Sequence, residues 1–309
     1  MKTAFLFSGQ GAQYPGMAAD LYKEPIVKDT FDQASKVLGY DMAELCFEEN
    51  DQLNQTKYTQ PAILTVSVAL SRLLKENGVS ADAMMGLSLG EYSALVESDA
   101  LSFENAVALV AKRGAFMTEA APTGSGKMVA IMNAPIDVIE MCCQKASIRG
   151  IVSPANYNTP QQIVIGGEVA AVDYALELLT EQGVKRMIPL NVSGPFHTKI
   201  LAPAAQQLAM ELAQLDFSEP TVPVISNTTA QVMNKSEIKP LLEKQVMSPV
   251  RFYESIETLK QLGIEQVIEV GPGKVLSGFM KKIDRAMPVY RVENSETLTD
   301  TLTALSSRR

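Results

Sequence analysis

The chain has 309 residues, 46% of them hydrophobic, and a formal net charge of −8 at pH 7. This length allows a large core and suggests either one large domain with an insertion or two domains. The acidic balance argues against a nucleic-acid partner. One histidine and three cysteines argue against a zinc site and against a disulfide framework.

The N-terminal segment begins with an apolar run that spans only residues 4–7 before polar and glycine-rich sequence. This run is too short for the hydrophobic region of a signal peptide, and no other stretch approaches transmembrane length. We therefore expect a cytoplasmic protein with no membrane partner.

Short apolar runs alternate with longer amphipathic segments, which predicts an α/β fold. Residues 3–7 are predicted to form a buried strand that leads into the glycine-rich loop 8–13. Proline is tolerated at the first position of a helix, so Pro61 is predicted to open a helix that ends near Gly78.

The next predicted strand and helix meet at a turn that contains a serine. Residues 83–87 are predicted to form a short strand, and a helix is predicted from Leu89 onward. Ser88 therefore lies at a strand-to-helix turn. Ser102 is a suitable N-cap for a further helix that runs to about Ala121.

A segment rich in Pro, Gly and Ser then ends the helical pattern, and the periodicity of the apolar residues changes after it. Residues 127–194 are predicted to form a β-α-β-β-α-β unit, the order of ferredoxin-like domains. We interpret this unit as an inserted small domain, with the large domain formed by residues 1–126 and 195–309. Further strands are predicted at residues 222–227 and 266–270.

The pentapeptide of residues 86–90 has the pattern Gly-x-Ser-x-Gly. Glycines around a serine also occur in ordinary tight turns, but a strand before and a helix after are the context of a nucleophile elbow. The helix N-terminus would direct the N–H of Leu89 at an oxyanion. The loop at Gln10 could supply a second N–H if it lies beside the elbow, although by itself it is more typical of a plain turn.

His197 is the only histidine of the chain. Alone it would suggest a structural or a surface residue. Because histidine is the usual general base for a serine, it is also the candidate partner of Ser88. No Asp or Glu can be assigned as its orienting partner, and a backbone carbonyl could fix its tautomer instead.

Arg113 lies on the flank of the apolar face of its predicted helix, three residues after Val110 and four before Met117. One interpretation is an apolar stem whose guanidinium reaches water. The other is a pocket arginine that binds a carboxylate through paired, charge-assisted hydrogen bonds.

Together these motifs identify a family. In order along the chain they are FSGQGAQ (7–13), QPA (60–62), GLSLGEY (86–92), RG (113–114), GPFH (194–197) and EVGPG (269–273). This series resembles that of malonyl-CoA:acyl carrier protein transacylases and covers essentially the whole chain. The resemblance implies an α/β-hydrolase-like large domain with an inserted ferredoxin-like small domain and an active site in the cleft between them.

The resemblance also implies roles for individual residues. The implied catalytic set comprises the nucleophile Ser88, the base His197, the oxyanion-hole amides of Gln10 and Leu89, and the main-chain carbonyl of Gln245 that orients the histidine. The implied substrate-binding set comprises Arg113, which would hold the malonyl carboxylate, Phe196, whose ring would close the pocket over the α-carbon, Met117 and Gln60. Leu87 departs from the family, which usually has histidine before the serine; we expect this to affect the rate and not the mechanism.

The resemblance thus predicts an acyltransferase of fatty acid biosynthesis that moves a malonyl group from malonyl-CoA to acyl carrier protein through a malonyl-serine. A polyketide acyltransferase, a serine esterase or thioesterase, and a non-catalytic carrier-binding module are the alternatives. No metal or redox cofactor is needed, because a thioester and an oxygen ester are both activated acyl groups. A monomer is expected.

Docking of an acidic carrier protein to an acidic enzyme needs a basic patch. The candidates follow the turn at residues 271–273 or lie beside the histidine: Lys274, Lys281, Lys282, Arg285 and Lys199. A solvated helix face is the alternative explanation of these cations.

Overall fold

The computed structural model describes residues 1–308. The strands are β1 (Thr3–Phe7), β2 (Ala83–Gly86), β3 (Lys127–Met132), β4 (Val152–Thr159), β5 (Gln162–Gly167), β6 (Arg186–Pro189), β7 (Val250–Arg251), β8 (Gln266–Val270) and β9 (Val289–Val292). The helices are α1 (Pro25–Leu38), α2 (Met42–Phe47), α3 (Thr56–Glu76), α4 (Gly90–Glu97), α5 (Phe103–Ala120), α6 (Ile136–Ala146), α7 (Val169–Glu181), α8 (Ala202–Leu212), α9 (Lys235–Gln245), α10 (Phe252–Gln261), α11 (Val275–Ile283) and α12 (Ser295–Ser306).

The larger layer is a parallel sheet with strand order β2-β1-β8-β9. Strands β1, β2 and β8 are buried along their whole length, as expected of parallel strands covered by helices on both faces. Because parallel strands end at the same edge, the loops after β1, β2 and β8 meet there. In open α/β sheets this carboxyl edge is where ligands bind.

The smaller sheet has the order β6-β3-β5-β4-β7. Its first four strands are antiparallel and connect as β3-α6-β4-β5-α7-β6, which confirms the predicted ferredoxin-like order. The last strand, β7, comes from outside residues 127–194 and pairs in parallel with β4. The sheet therefore extends beyond the predicted insertion, and the domain boundaries stay a prediction.

The start of helix α3 differs from the sequence prediction. The helix begins at Thr56, so Pro61 lies inside it and does not open it. The first turn is already closed before the proline, because the N–H groups of Tyr58 and Thr59 donate to the Gln55 carbonyl. Burial of the residues before Pro61 outweighs the one helical hydrogen bond that the proline cannot make. As a consequence, Gln60 is a helical residue.

The strand predicted at residues 222–227 is also wrong. Only an isolated bridge between Val224 and Met84 and another between Ile225 and Val232 occur there. The chain leaves the edge of β2 after Ile225, and the next residues turn toward the Ser88 elbow. The end of the predicted strand therefore belongs to the surroundings of the elbow and not to a sheet.

Helices α3 and α5 pack closely where Gly114 faces the start of α3. A Cβ atom on Gly114 would lie 2.7 Å from the Thr56 carbonyl oxygen, so the glycine permits the contact. The close approach brings Arg113 of α5 beside Gln60 of α3. Among residues 1–308, the helices lack the combination of length and apolar character that a bilayer crossing requires.

The elbow depends on a second close contact that can be tested. A Cβ atom on Gly90 would lie 2.2 Å from the Phe7 carbonyl oxygen, and the β1 backbone cannot retreat. We expect Gly90→Ala to lower the free energy of unfolding by about 1–3 kcal/mol. Chemical denaturation measures this change.

Gly278→Ala is the matched control for this substitution. Gly278 lies in α11, and its Cβ would have no neighbour within 4 Å. We expect this variant to gain roughly 0.5–1 kcal/mol, since alanine is the better helix former. Equal stability of the two variants would contradict the steric account of the elbow.

Candidate active site

Ser88 occupies a tight turn between β2 and α4. Its φ angle is 55°, an uncommon conformation for a residue with a side chain. A Cβ atom on Gly86 would lie 2.0 Å from the Gly90 carbonyl carbon, so the flanking strand and helix approach as closely as glycine allows. This geometry is that of a nucleophile elbow, which projects the serine hydroxyl away from the sheet.

His197 lies within hydrogen-bond reach of Ser88. Its Nε2 is 2.8 Å from the Ser88 Oγ, and its Nδ1 is 2.8 Å from the Gln245 carbonyl oxygen. A carbonyl can only accept, so Nδ1 carries the hydrogen and Nε2 is free to accept the serine proton. Burial, and next the positive charge of Arg113, lower the pKa of His197 to about 4. The imidazole is therefore neutral at pH 7 and competent as a base.

Two backbone N–H groups are available near the Ser88 hydroxyl. The N–H groups of Leu89 and Gln10 donate to no other residue within 1–308. The loop that carries Gln10 crosses the elbow, since a Cβ atom on Gly9 would lie 2.3 Å from the Leu87 carbonyl oxygen. Both amides could therefore stabilise an oxyanion.

Arg113 is buried, with 1% of its surface exposed, so its guanidinium does not reach water. Its NH1 donates to the Gln60 Oε1 at 2.8 Å, and its NH2 donates to the Gln245 Oε1 at 2.9 Å and to the Ser88 Oγ at 3.3 Å. The Tyr92 ring lies 5.3 Å from the guanidinium carbon, a cation–π distance. The pKa of Arg113 is lowered, chiefly by burial. The arginine thus contacts the Ser88 hydroxyl itself.

The remaining predicted pocket residues lie at different distances from this centre. Met117 is buried one turn after Arg113, and its sulfur accepts a hydrogen bond from the Gln60 Nε2 at 3.3 Å. Phe196 is half-buried against the main core, and its ring faces Gly194. Gln60 and Met117 thus contact each other beside Arg113. Phe196 is linked to the site only as the sequence neighbour of His197.

Asn227 is a site residue that sequence reasoning missed. Its Oδ1 accepts from the Ser88 N–H at 2.7 Å, and its Nδ2 donates to the Gly86 carbonyl at 2.7 Å. The Asn227 side chain therefore forms hydrogen bonds to both Gly86 and Ser88 of the turn. It does not use the N–H of Leu89. No motif marks this residue, because only the fold brings it to the elbow.

Glu91 supports Asn227 from the first turn of α4. Its Oε1 accepts from the Asn227 N–H at 2.6 Å, and burial raises the pKa of this carboxyl to about 7. Glu91 belongs to the GLSLGEY motif, so its place near the elbow could have been inferred from the sequence, but its contact with Asn227 could not.

Leu87, where the family usually has histidine, lies against an apolar cluster. It packs beside the core formed around Leu6, Met85 and Ile225. Its backbone N–H donates to the Phe7 carbonyl at 3.1 Å, which holds the turn to β1. The backbone role of this position therefore does not depend on the identity of the side chain.

The cysteines take no part in this cluster. Cys46, Cys142 and Cys143 are free and buried. Within residues 1–308, no group of three or more His, Cys, Asp or Glu side chains could hold a metal ion.

Comparisons with known proteins identify the family of this chain. Residues 4–294 match the acyl transferase domain family. Malonyl CoA-acyl carrier protein transacylase of Bacillus subtilis is 46% identical over 301 residues, which cover 96% of this chain and 95% of the relative. A crystal structure of MCAT from Streptococcus pneumoniae superposes with a TM-score of 0.97 at 62% identity, covering 98% of this chain and all of that one.

A second solved structure contains a partner. It is a malonyl-transacylase in complex with a type II PKS acyl-carrier protein, and it is similar with a TM-score of 0.94 and 39% identity over 98% of this chain and all of that one. The similarity to solved structures confirms the fold class, an α/β-hydrolase-like large domain with a ferredoxin-like small domain. Given the match over nearly its full length, the chain belongs to the acyl transferase domain family and, within it, to the malonyl CoA-acyl carrier protein transacylases.

Proposed function

We propose that this protein is an [acyl-carrier-protein] S-malonyltransferase, which moves the malonyl group of malonyl-CoA to the phosphopantetheine thiol of acyl carrier protein. The observation that carries the proposal is the environment of one atom. The Ser88 Oγ lies 2.8 Å from the His197 Nε2 and 3.3 Å from the Arg113 NH2. A nucleophile between a neutral base and a buried cation suits an acyl group that bears a carboxylate.

The first half-reaction loads the enzyme. His197 takes the Ser88 proton at Nε2 as the Oγ attacks the thioester carbonyl, and the Leu89 and Gln10 amides stabilise the oxyanion. The carbon–sulfur bond then breaks, and coenzyme A leaves as a thiol with the proton from His197. Arg113 holds the malonyl carboxylate, which fixes the carbonyl over the nucleophile.

The second half-reaction unloads the enzyme by the same steps in reverse. The carrier thiol gives its proton to His197 and attacks the malonyl-serine ester, and the ester bond to Ser88 breaks as the serine regains a proton. Throughout, the Gln245 carbonyl keeps the imidazole in one tautomer. Asn227 keeps the elbow in its strained conformation.

The proposal includes the setting of the reaction. We assign the enzyme to fatty acid biosynthesis, as the sequence resemblance implies, and not to a polyketide pathway or to ester hydrolysis. Three free, buried cysteines support a reducing compartment and hence a cytoplasmic location. We also propose a monomer as the working unit.

Four of the five basic candidates for carrier docking share one groove. A cavity of about 830 Å³ between α11 and the small domain is lined by Lys274, Lys281, Lys282, Arg285 and Arg186. None of these cations forms an ion pair within the described chain. At the start of α11, the Pro272 carbonyl accepts a hydrogen bond from Ser8, in the loop that carries Gln10. The positive charge of the groove supports docking of an acidic carrier there, whereas Lys199 lies exposed outside its lining.

The decisive test of the function is the intact mass of the protein after exposure to malonyl-CoA. We expect the mass to rise by one malonyl group and to return to its original value when acyl carrier protein is added. Ser88→Ala should show no adduct, because the elbow offers no second hydroxyl. A malonyl adduct on that variant, or an adduct that the carrier cannot remove, would contradict the proposal.

The base can be tested through pH. A protonated imidazole cannot accept the Ser88 proton, and the pKa of His197 is lowered to about 4. We therefore expect kcat/KM for malonyl loading to stay level as pH falls through 6.5 and to decline only near pH 4, measured by rapid quench.

His197→Ala is the comparison for this profile. It should lower the loading rate by roughly 10²–10⁴-fold and remove the acidic decline. A decline centred near pH 6.5 in the natural protein, or the same decline in the variant, would point to a different base or a different electrostatic environment.

Docking can be tested by charge reversal. The double variant Lys281→Glu with Lys282→Glu should weaken transfer to acyl carrier protein, measured as kcat/KM for the carrier, more than loading from malonyl-CoA. The control reverses Lys28 and Lys36, exposed on α1, to Glu and changes the net charge equally. Equal effects on both half-reactions, or equal effects of the two double variants, would refute docking at this groove.

A further inference from the structure

Arg113 is a buried cation without an acidic partner in contact. Within the described chain, no carboxylate oxygen lies within 4.0 Å of its guanidinium, which contacts two amide oxygens, a hydroxyl and an aromatic ring. Glu91 accepts from the Asn227 N–H through Oε1 and acts on the Arg113 charge only from beyond ion-pair distance, where it opposes the larger effect of burial on the pKa of the arginine. Buried charges are usually paired, so this exception calls for a physical reason.

The two glutamines that accept hydrogen bonds from Arg113 differ in whether a glutamate could replace them. Gln245 also donates from Nε2 to the Ser88 carbonyl at 3.0 Å, a bond that a carboxylate could not make. Gln60 is buried, accepts from Arg113 at 2.8 Å, and uses its Nε2 only for the Met117 sulfur, which is a weak acceptor. A glutamate of nearly the same shape would fit at position 60 and would form an ion pair with Arg113. The neutral amide at position 60 therefore leaves Arg113 without an ion-pair partner in contact.

We propose that Gln60 is a specificity-determining residue that leaves Arg113 without a carboxylate in contact, so that the carboxylate of the acyl group becomes its ion-pair partner. The inference rests on the proposed function and deepens it. It explains why Arg113 is held by neutral acceptors, which keep its geometry but yield to a carboxylate, since charge-assisted pairs are the stronger ones.

The same arrangement links the acyl group to the base. The Arg113 NH2 lies 3.3 Å from the Ser88 Oγ, which lies 2.8 Å from the His197 Nε2. A cation at this range with no carboxylate in contact opposes the imidazolium that forms when Ser88 loses its proton. A carboxylate bound to Arg113 removes that opposition. An acyl group with a carboxylate should thus favour its own transfer, beyond its gain in binding.

Gln60→Glu tests this proposal, with kcat/KM for loading of Ser88 from malonyl-CoA and from acetyl-CoA as the readout. We expect malonyl loading to fall at least about tenfold, because the new carboxylate occupies Arg113, while acetyl loading holds or rises. Gln60→Leu is the matched control of similar size without charge. It should lower both rates by similar factors and keep the malonyl preference. If Gln60→Glu keeps the natural malonyl-to-acetyl ratio, the proposal is overturned.

Arg113→Ala separates this inference from the proposed function. It should lose the malonyl preference by abolishing malonyl loading while acetyl loading remains. If the preference survives in Arg113→Ala, the malonyl selectivity of the proposed function fails. If the malonyl preference is lost in Arg113→Ala but unchanged in Gln60→Glu, only the proposed role of Gln60 is refuted.

A second measurement on the natural protein does not depend on the folding of any Gln60 variant. Formate added with acetyl-CoA supplies a carboxylate in the space that the malonyl carboxylate would fill. We expect formate to accelerate acetyl loading at constant ionic strength, with neutral formamide as the control and with no acceleration in Arg113→Ala. Absence of any formate effect in the natural protein would overturn the proposal.

Discussion

The close approach of Gly86 to Gly90 is the constraint on which the rest of the site depends. It forces Ser88 into a positive φ angle, and such a conformation persists only where the surroundings hold it. Asn227 supplies that support through two hydrogen bonds to the turn, and Glu91 in turn fixes Asn227. The serine is therefore positioned by polar groups that are themselves buried and that never contact the substrate in the mechanism.

Gln245 joins the two chemical tasks of the site. Its backbone carbonyl orients His197, and its side chain contacts both Arg113 and the backbone of Ser88. The proposed recognition of a carboxylate and the proposed activation of Ser88 are thus connected through a single residue at the end of α9. The backbone carbonyl of this residue takes the place of an acidic triad member, because it fixes the tautomer without adding a buried charge.

Much of this arrangement could be predicted from the sequence, and the failures have physical causes. The Gly-x-Ser-x-Gly pattern predicted the turn at Ser88 because its glycines report local sterics. Local rules failed at Pro61, where tertiary burial extended the helix, and at residues 222–227, where a strand-like pattern serves the elbow. Asn227 left no local signal, since its contact with Ser88 spans 139 positions along the chain.

The short strand β7 links the small sheet to the segment that supports the Ser88 elbow. Val250 pairs with Asn156 of the small sheet, and the Arg251 N–H donates to the carbonyl of Asn227, which holds the elbow. The same strand follows Gln245 by only five residues. A movement of the small domain that carried β4 would therefore be transmitted through β7 to Asn227 and to the segment that carries Gln245.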